Sequence, residues 1–174
     1  MLNKDYKELS ANLVDWIHDK VTEAGCQGVV VGLSGGIDSA VTATLCKRAF
    51  PDNTLGLIMP CYSNPQDAED AKKVADKFEI DYELVDLSAT FDQFLVTVEG
   101  SKEVEKSMAV ANIKPRLRMT TLYYYASCRN SLVVGTDNRS ELKVGYFTKF
   151  GDGGIDITPL GNLVKLEVRE VAKE

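Results

Sequence analysis

The segment Gly32–Ser39, GLSGGIDS, constrains the fold of this chain more than any other feature. It starts at the end of the apolar run Gly28–Leu33, which predicts a strand covered on both faces. A predicted helix begins near residue 38, so the segment is a strand-to-helix turn. Gly35 and Gly36 permit a tight turn and a close approach to a ligand, and the first N–H groups of a helix attract anions. The sequence therefore predicts a phosphate site at the carboxyl end of a buried strand.

The polar side chains of this turn point to the same chemistry. Ser34 and Ser39 add hydroxyl donors, whereas Asp38 repels phosphate unless a cation lies between them, which makes Asp38 a candidate Mg²⁺ ligand. The turn is not a Walker A loop, because Ile37 stands where that loop has a later glycine and no lysine follows. A glycine-rich turn without a ligand is the alternative.

The rest of the chain alternates between predicted helices and strands. Such alternation predicts a doubly wound parallel sheet with helices on both faces, within one domain of 174 residues. Residues 88–113 lean towards helix, are weakly patterned and include an expected mobile loop around Gly100. The predicted helices cover about residues 4–24, 38–49, 64–78 and 112–128, and the predicted strands are Gly28–Leu33, Leu55–Met59, Tyr82–Asp86 and Leu132–Gly135.

Composition excludes several classes of function. The net charge of −6 argues against binding to nucleic acid or to an anionic membrane surface. No apolar run approaches the ~18 residues that span a bilayer. The four cysteines have no metal-site spacing and are expected to be reduced, mostly buried thiols in a cytoplasmic protein. The single histidine, His18, is expected on a helix surface.

The last residues begin a helical face with Val164, Val168 and Val171, yet the sequence stops at Glu174 without a helix stop signal. We therefore expect residues 1–174 to be a single domain that lacks its C-terminal part.

The turn resembles the pyrophosphate loop of the N-type ATP pyrophosphatases, which cleave ATP between the α- and β-phosphates. Three further segments narrow the resemblance to the ammonia-dependent NAD synthetases, and it runs from the first helix to the last residue. These segments are Asn112–Met119 (NIKPRLRM), Gly135–Glu141 (GTDNRSE) and Lys149–Asp156 (KFGDGGID), which leads to Pro159 and Leu160.

The resemblance implies an adenine nucleotide alpha hydrolase-like fold and a reaction. Deamido-NAD, ATP and ammonia would give NAD, AMP and pyrophosphate through an NAD-adenylate, with no covalent protein nucleophile. It also implies a cytoplasmic homodimer, with neither nucleic acid nor membrane as partner. The implied Mg²⁺ ligands are Asp38 and Glu141, and the implied deamido-NAD contacts are Arg116, Lys149 and Asp156. The implied ATP contacts are Gly32, Leu33, Ser34, Gly35, Gly36, Ile37, Asp38, Ser39, Thr136 and Lys165.

The sequence also permits two other interpretations of the function. One is an ATP pyrophosphatase that adenylates a different acceptor, and the other is a non-catalytic module that binds adenine nucleotides. A binding module needs no Mg²⁺ carboxylates, so Asp38 and Glu141 favour an enzyme. Arg118 is expected to be structural, Asp137 and Arg139 are left without a role, and the tyrosines of residues 122–125 are expected in packing rather than base stacking.

Overall fold

The computed structural model describes residues 4–99 and 108–174. Helices and strands alternate along the first half of the chain, as the sequence predicts. The helices are α1 (Tyr6–Glu23), α2 (Ile37–Ala49), α3 (Pro65–Lys77), α4 (Ser88–Glu99), α5 (Met108–Ala111), α6 (Ile113–Cys128), α7 (Arg139–Val144) and α8 (Lys165–Val171). The strands are β1 (Gly28–Gly32), β2 (Thr54–Ile58), β3 (Asp81–Leu84) and β4 (Ser131–Val134).

The four strands form one parallel sheet in the order β3-β2-β1-β4. The chain builds outward from β1 to β3 and then crosses to the other side of β1 to form β4. The direction in which strands are added therefore reverses between β1 and β4, and we call this place the switch point. In open parallel sheets, ligands bind at the switch point, beyond the carboxyl ends of the strands. The turns that follow β1 and β4 flank it.

Both faces of the sheet are covered, which confirms the doubly wound arrangement. Val29 and Val31 of β1 pack with α1, α2, α3 and α8 on one face. Val30, one residue between them, packs with α4 and α6 on the other face. Because successive side chains of a strand point to opposite faces, a run of valines serves two cores at once.

The bounds of the four strands and of α1, α2 and α3 agree with those predicted from the sequence to within two residues. Helix α6 begins at Ile113, two residues before Pro115, so this proline lies within the first turn, where an N–H would have no helical partner. Helix α7 was not expected. The expected loop around Gly100 lies outside the described residues.

The structure also shows where the histidine and the cysteines lie. His18 lies on the surface of α1 and stacks on Phe50, with ring centroids 5.4 Å apart. All four cysteines are free thiols. Among residues 4–99 and 108–174, no helix is long and apolar enough to cross a membrane.

Candidate functional site

The turn between β1 and α2 is held by a network of two serines. Ser39 Oγ lies 3.0 Å from Ser34 Oγ, accepts the Ser34 N–H at 3.2 Å and donates to the Gly36 carbonyl at 2.9 Å. Gly35 has a φ of +79°, and a Cβ there would lie 2.5 Å from the Asp67 carbonyl oxygen. Glycine is therefore required at this position both by conformation and by the close passage of α3.

The N-terminus of α2 presents its backbone donors without a side-chain cap. Gly36 is the N-cap residue, and within the described residues no side-chain cap hydrogen bond is made to this helix. Those donors and the helix dipole remain available to an anion. The predicted phosphate site is thus open at the switch point of the sheet.

The turn between β4 and α7 is built differently. Asn138, which is fully buried, caps α7 and accepts the N–H groups of Ser140 and Glu141 at 2.9 and 3.2 Å. The Glu141 carboxylate reaches back to the Asn138 N–H at 3.1 Å, which completes a capping box. The side-chain amide of Asn138 also donates to Asp38 Oδ1 at 3.2 Å, across the switch point.

Three predicted ATP and metal residues converge beside these turns. The ammonium of Lys165, at the start of α8, pairs with Asp38 Oδ2 and lies 3.8 Å from Glu141 Oε1. The two carboxylates thus face one cation, although 103 positions separate them in the sequence (141 − 38). In the described part of the chain, no group of three or more His, Cys, Asp or Glu side chains is arranged as a metal site. A pair of carboxylates suits Mg²⁺, which takes one or two and completes its shell with waters and phosphates.

Asp137 adds a further carboxyl group close to this cluster. The residue is only 8% exposed. Burial, together with the charges of Asp152, Glu141 and Asp38, raises the pKa of Asp137 from 3.8 to about 6. The site therefore concentrates negative charge that a cation would relieve.

A cavity of about 520 Å³ opens beyond the carboxyl ends of β1, β2 and β4. This volume lies within the range of small-molecule sites. Its lining includes apolar residues such as Leu33, Ile58 and Met59 and polar residues such as Ser34, Thr136 and Asp152. Thr136, predicted to contact ATP, therefore lines the same cavity as the start of the glycine turn.

The predicted deamido-NAD residues are only partly brought together. Arg116, on the first half of α6, donates from Nε and Nη2 to the Lys149 carbonyl at 3.3 and 3.4 Å. The Lys149 ammonium lies 5.0 Å from the centroid of the Phe150 ring. Pro115, adjacent to Arg116, and Gly151, two residues after Lys149, line the cavity, whereas its lining in the described part of the chain includes neither Arg116 nor Lys149.

Asp156 lies apart from this pair, against β4 and α6. Its Oδ2 accepts the Val133 N–H at 2.8 Å, and its Oδ1 accepts the Tyr123 hydroxyl at 2.8 Å. Burial and this carboxylate raise the pKa of Tyr123 to about 12. In this arrangement both oxygens of Asp156 are engaged by the protein.

The sequence interpretation missed Asn138, which joins the two predicted metal ligands. The pattern Asn138-x-x-Glu141 at the start of a helix is a capping-box signature and would have predicted both α7 and the cap. Arg118 donates to the Met59 carbonyl at 3.0 Å and to Ser63 Oγ at 3.2 Å, so it fixes the β2–α3 connection on the cavity wall, in line with its expected structural role.

Comparisons with known proteins agree with this geometry. The profile of the NAD synthase family matches residues 9–174. The NH(3)-dependent NAD(+) synthetase of Carboxydothermus hydrogenoformans is 51% identical over 97% of this chain and 70% of its own length. The solved structure of the NH3-dependent NAD synthetase from Campylobacter jejuni has 39% identity and a TM-score of 0.90, covering 98% of this chain and 73% of its own.

A third similar protein is the NMN synthetase from Francisella tularensis, whose structure has 40% identity and a TM-score of 0.91. It covers 98% of this chain and 71% of its own. The sheet order, the glycine turn and these matches over nearly the whole chain lead to one conclusion: the chain belongs to the NAD synthase family.

Proposed function

We propose that this chain is an ammonia-dependent NAD synthetase, a ligase that amidates deamido-NAD. The nicotinate carboxylate attacks the α-phosphorus of ATP and releases pyrophosphate, which leaves an NAD-adenylate. Ammonia then attacks the carbonyl carbon, and AMP leaves as NAD forms. The observation that carries the proposal is the 51% identity, over 97% of the chain, to an ammonia-dependent synthetase.

The geometry supports the adenylation step. We assign ATP to Gly32–Ser39, Thr136 and Lys165. Thr136 and the first three residues of the turn line the cavity, α2 begins after them with an uncapped N-terminus, and the Lys165 ammonium pairs with Asp38 in the first turn of that helix. A carboxylate and a triphosphate repel each other, so positive charge and fixed donors lower the barrier to their approach. The apolar residues that line the cavity are suited to packing against the adenine ring.

The acceptor side is assigned to Arg116, Lys149 and Asp156. Both Arg116 and Lys149 are cationic, Arg116 lies against the Lys149 backbone, and their near neighbours Pro115 and Gly151 line the cavity. Such charges suit the phosphates and the carboxylate of deamido-NAD. Asp156 would bind a polar group of the acceptor through a remaining lone pair or by exchanging its contact with Tyr123.

The carboxylates of Asp38 and Glu141 fit Mg²⁺, since both already face a single cation. When bound there, Mg²⁺ would neutralise phosphate charge and favour the departure of pyrophosphate. Lys165 keeps these carboxylates paired with positive charge in the structure and, by reorienting, would place that charge on a phosphate.

A second acceptor deserves a direct test, because the Francisella tularensis NMN synthetase is as similar in structure as the NAD synthetase from Campylobacter jejuni. The same adenylation and amidation of nicotinate mononucleotide would give NMN. An ATP pyrophosphatase with another acceptor and a non-catalytic nucleotide module are the more distant alternatives.

The experiment incubates the chain with MgATP, an ammonium salt and either deamido-NAD or nicotinate mononucleotide. We expect NAD with one pyrophosphate per turnover, and slower formation of NMN. Glutamine in place of ammonium should give no product above background. Faster NMN formation would favour the second acceptor, and pyrophosphate release with neither product would contradict both.

The broader context of the proposal follows from the resemblance. We place the reaction in the cytoplasm, treat residues 1–174 as one domain and propose a homodimer. Sedimentation velocity at several protein concentrations tests the dimer, because a monomer at all concentrations would contradict it.

A further inference from the structure

The two carboxylates that face Lys165 come from opposite sides of the switch point. Asp38 belongs to α2, which follows β1, whereas Glu141 belongs to α7, which follows β4. No local backbone geometry sets their spacing, because the helices that carry them are far apart in the chain. The pairing of β1 with β4 brings the two turns together, and contacts between the turns then set the spacing of the carboxylates.

Asn138 makes that contact with both carboxylates at once. Its side-chain amide donates to Asp38 Oδ1 at 3.2 Å, and its backbone N–H donates to Glu141 Oε2 at 3.1 Å. The remaining oxygens, Asp38 Oδ2 and Glu141 Oε1, are the ones that face Lys165. One residue thus holds one oxygen of each carboxylate and leaves the other directed at the same cation.

The environment of Asn138 makes this arrangement rigid. The residue is fully buried. Its amide oxygen accepts the N–H groups of Ser140 and Glu141, so the amide cannot turn over without losing the helix cap. The orientation of the amide donor towards Asp38 is therefore fixed by the same bonds that start α7.

We propose that Asn138 is a positioning residue that holds Asp38 and Glu141 at the spacing required by a divalent cation. The proposal deepens the proposed function and rests on it for the identity of the bound nucleotide. Groups that orient metal ligands in this way commonly change metal affinity by 10- to 100-fold when they are removed.

The variant Asn138→Ser tests the proposal, because serine keeps the helix cap while its hydroxyl is too short to reach Asp38. The probe is Mn²⁺, measured by electron paramagnetic resonance with α,β-methylene-ATP, whose α–β linkage is not cleaved. We expect the Mn²⁺ dissociation constant to rise by about 10- to 100-fold.

A matched control is Asn64→Ser. Asn64 caps α3 by accepting the Gln66 N–H at 3.1 Å, and the change there should leave the Mn²⁺ dissociation constant unaltered. Urea unfolding of both variants measures the contribution of each cap separately from metal binding. If Asn138→Ser does not fold, Asn138→Thr keeps a capping hydroxyl and fills more of the buried volume.

A folded Asn138 variant that binds Mn²⁺ within about twofold of the unaltered chain would overturn the proposal and leave Asn138 as a helix cap only. The proposed function fails separately. If the unaltered chain forms no NAD but binds Mn²⁺ in a manner that depends on Asn138, the positioning role stands and the acceptor assignment falls.

Discussion

The two strand-to-helix turns at the switch point differ in what they do with the N–H groups at the start of a helix. After β1, glycine stands at the N-cap, and no side chain in the described part of the molecule caps the helix. After β4, asparagine stands at the N-cap and a capping box uses them. The first turn is therefore free to bind an anion, whereas the second is closed and presents carboxylates instead.

This difference shows how one supersecondary unit serves opposite charges. The identity of a single residue, Gly36 or Asn138, decides whether the positive end of the helix is offered to a ligand or satisfied internally. Because both turns meet at one edge of the sheet, the anion site and the candidate cation site lie side by side. The following substitutions test this division of roles.

The largest effect is expected from Asp38→Asn. Loss of this carboxylate removes one side of the candidate Mg²⁺ site, so we expect NAD formation to fall by about 1,000-fold or more while the fold survives. Product assays at saturating MgATP and far-UV circular dichroism measure the two outcomes. The control Asp70→Asn removes an exposed carboxylate on α3 and should leave turnover unchanged. Undiminished activity of Asp38→Asn would contradict the metal role.

Next in size is Gly36→Asn, which converts the first turn into a copy of the second. The backbone of Gly36 has a φ of −82°, which asparagine adopts readily, and a Cβ there has ordinary contact with Ser34 Oγ at 3.4 Å. The asparagine side chain should accept the N–H groups at the start of α2 that we assign to phosphate binding. We therefore expect the KM for ATP to rise by about tenfold or more.

Steady-state kinetics and urea unfolding of Gly36→Asn together separate binding from stability, since the free energy of unfolding should change by only a few tenths of a kcal/mol, as is usual for such caps. Gly25→Asn, beyond the end of α1, is the control for KM, because a Cβ there meets open space and asparagine is among the few residues that adopt its φ of +71°. An unchanged KM would show that the α2 donors do not bind ATP.

A smaller effect is expected from Asp137→Asn. The folded-state pKa of about 6 lies above the usual 3.8, so the folded state holds this proton more tightly and loses stability as pH rises through that window. Removing the charge should raise the free energy of unfolding at neutral pH by about 1 to 2 kcal/mol. The gain should vanish near pH 4. Urea unfolding at both pH values, with a chelator present, checks this, and an equal gain at both would contradict the assignment.

The smallest effect is expected from Thr158→Val. The Thr158 hydroxyl donates to the Asp137 carbonyl at 3.1 Å and so stabilises the turn between β4 and α7. Its loss should cost about 1 kcal/mol of stability and affect the KM for ATP less than Gly36→Asn does. Thr97→Val, on the exposed surface of α4, provides a control whose stability should change little. A larger rise in the KM for ATP than that caused by Gly36→Asn would contradict the assignment of ATP binding to the first turn.

The sequence predicted the sheet well because its strands carry strong local patterns. The valines of β1 can be read without knowing any tertiary contact. Helix α7 was missed because six residues are too few for an apolar periodicity, and only its cap marks it. The pairing of Asp38 with Glu141 followed from a resemblance, since spacing in sequence says nothing about which turns meet. The contact between Asp156 and Tyr123 joins two distant elements, and no local pattern encodes it.

Asp156 has a consequence for the association of this protein with itself. Its carboxylate accepts the Val133 N–H, and Ile157 forms a parallel bridge to Val134. The outer edge of β4 therefore already has hydrogen-bond partners. Strand β3, at the opposite border of the sheet, has only four residues and includes Asp81 and Glu83. Short, charged or covered edges discourage the addition of strands from other molecules. Substitution of Asp156 would thus uncover a strand donor, and we expect it to promote aggregation in addition to any effect on the acceptor.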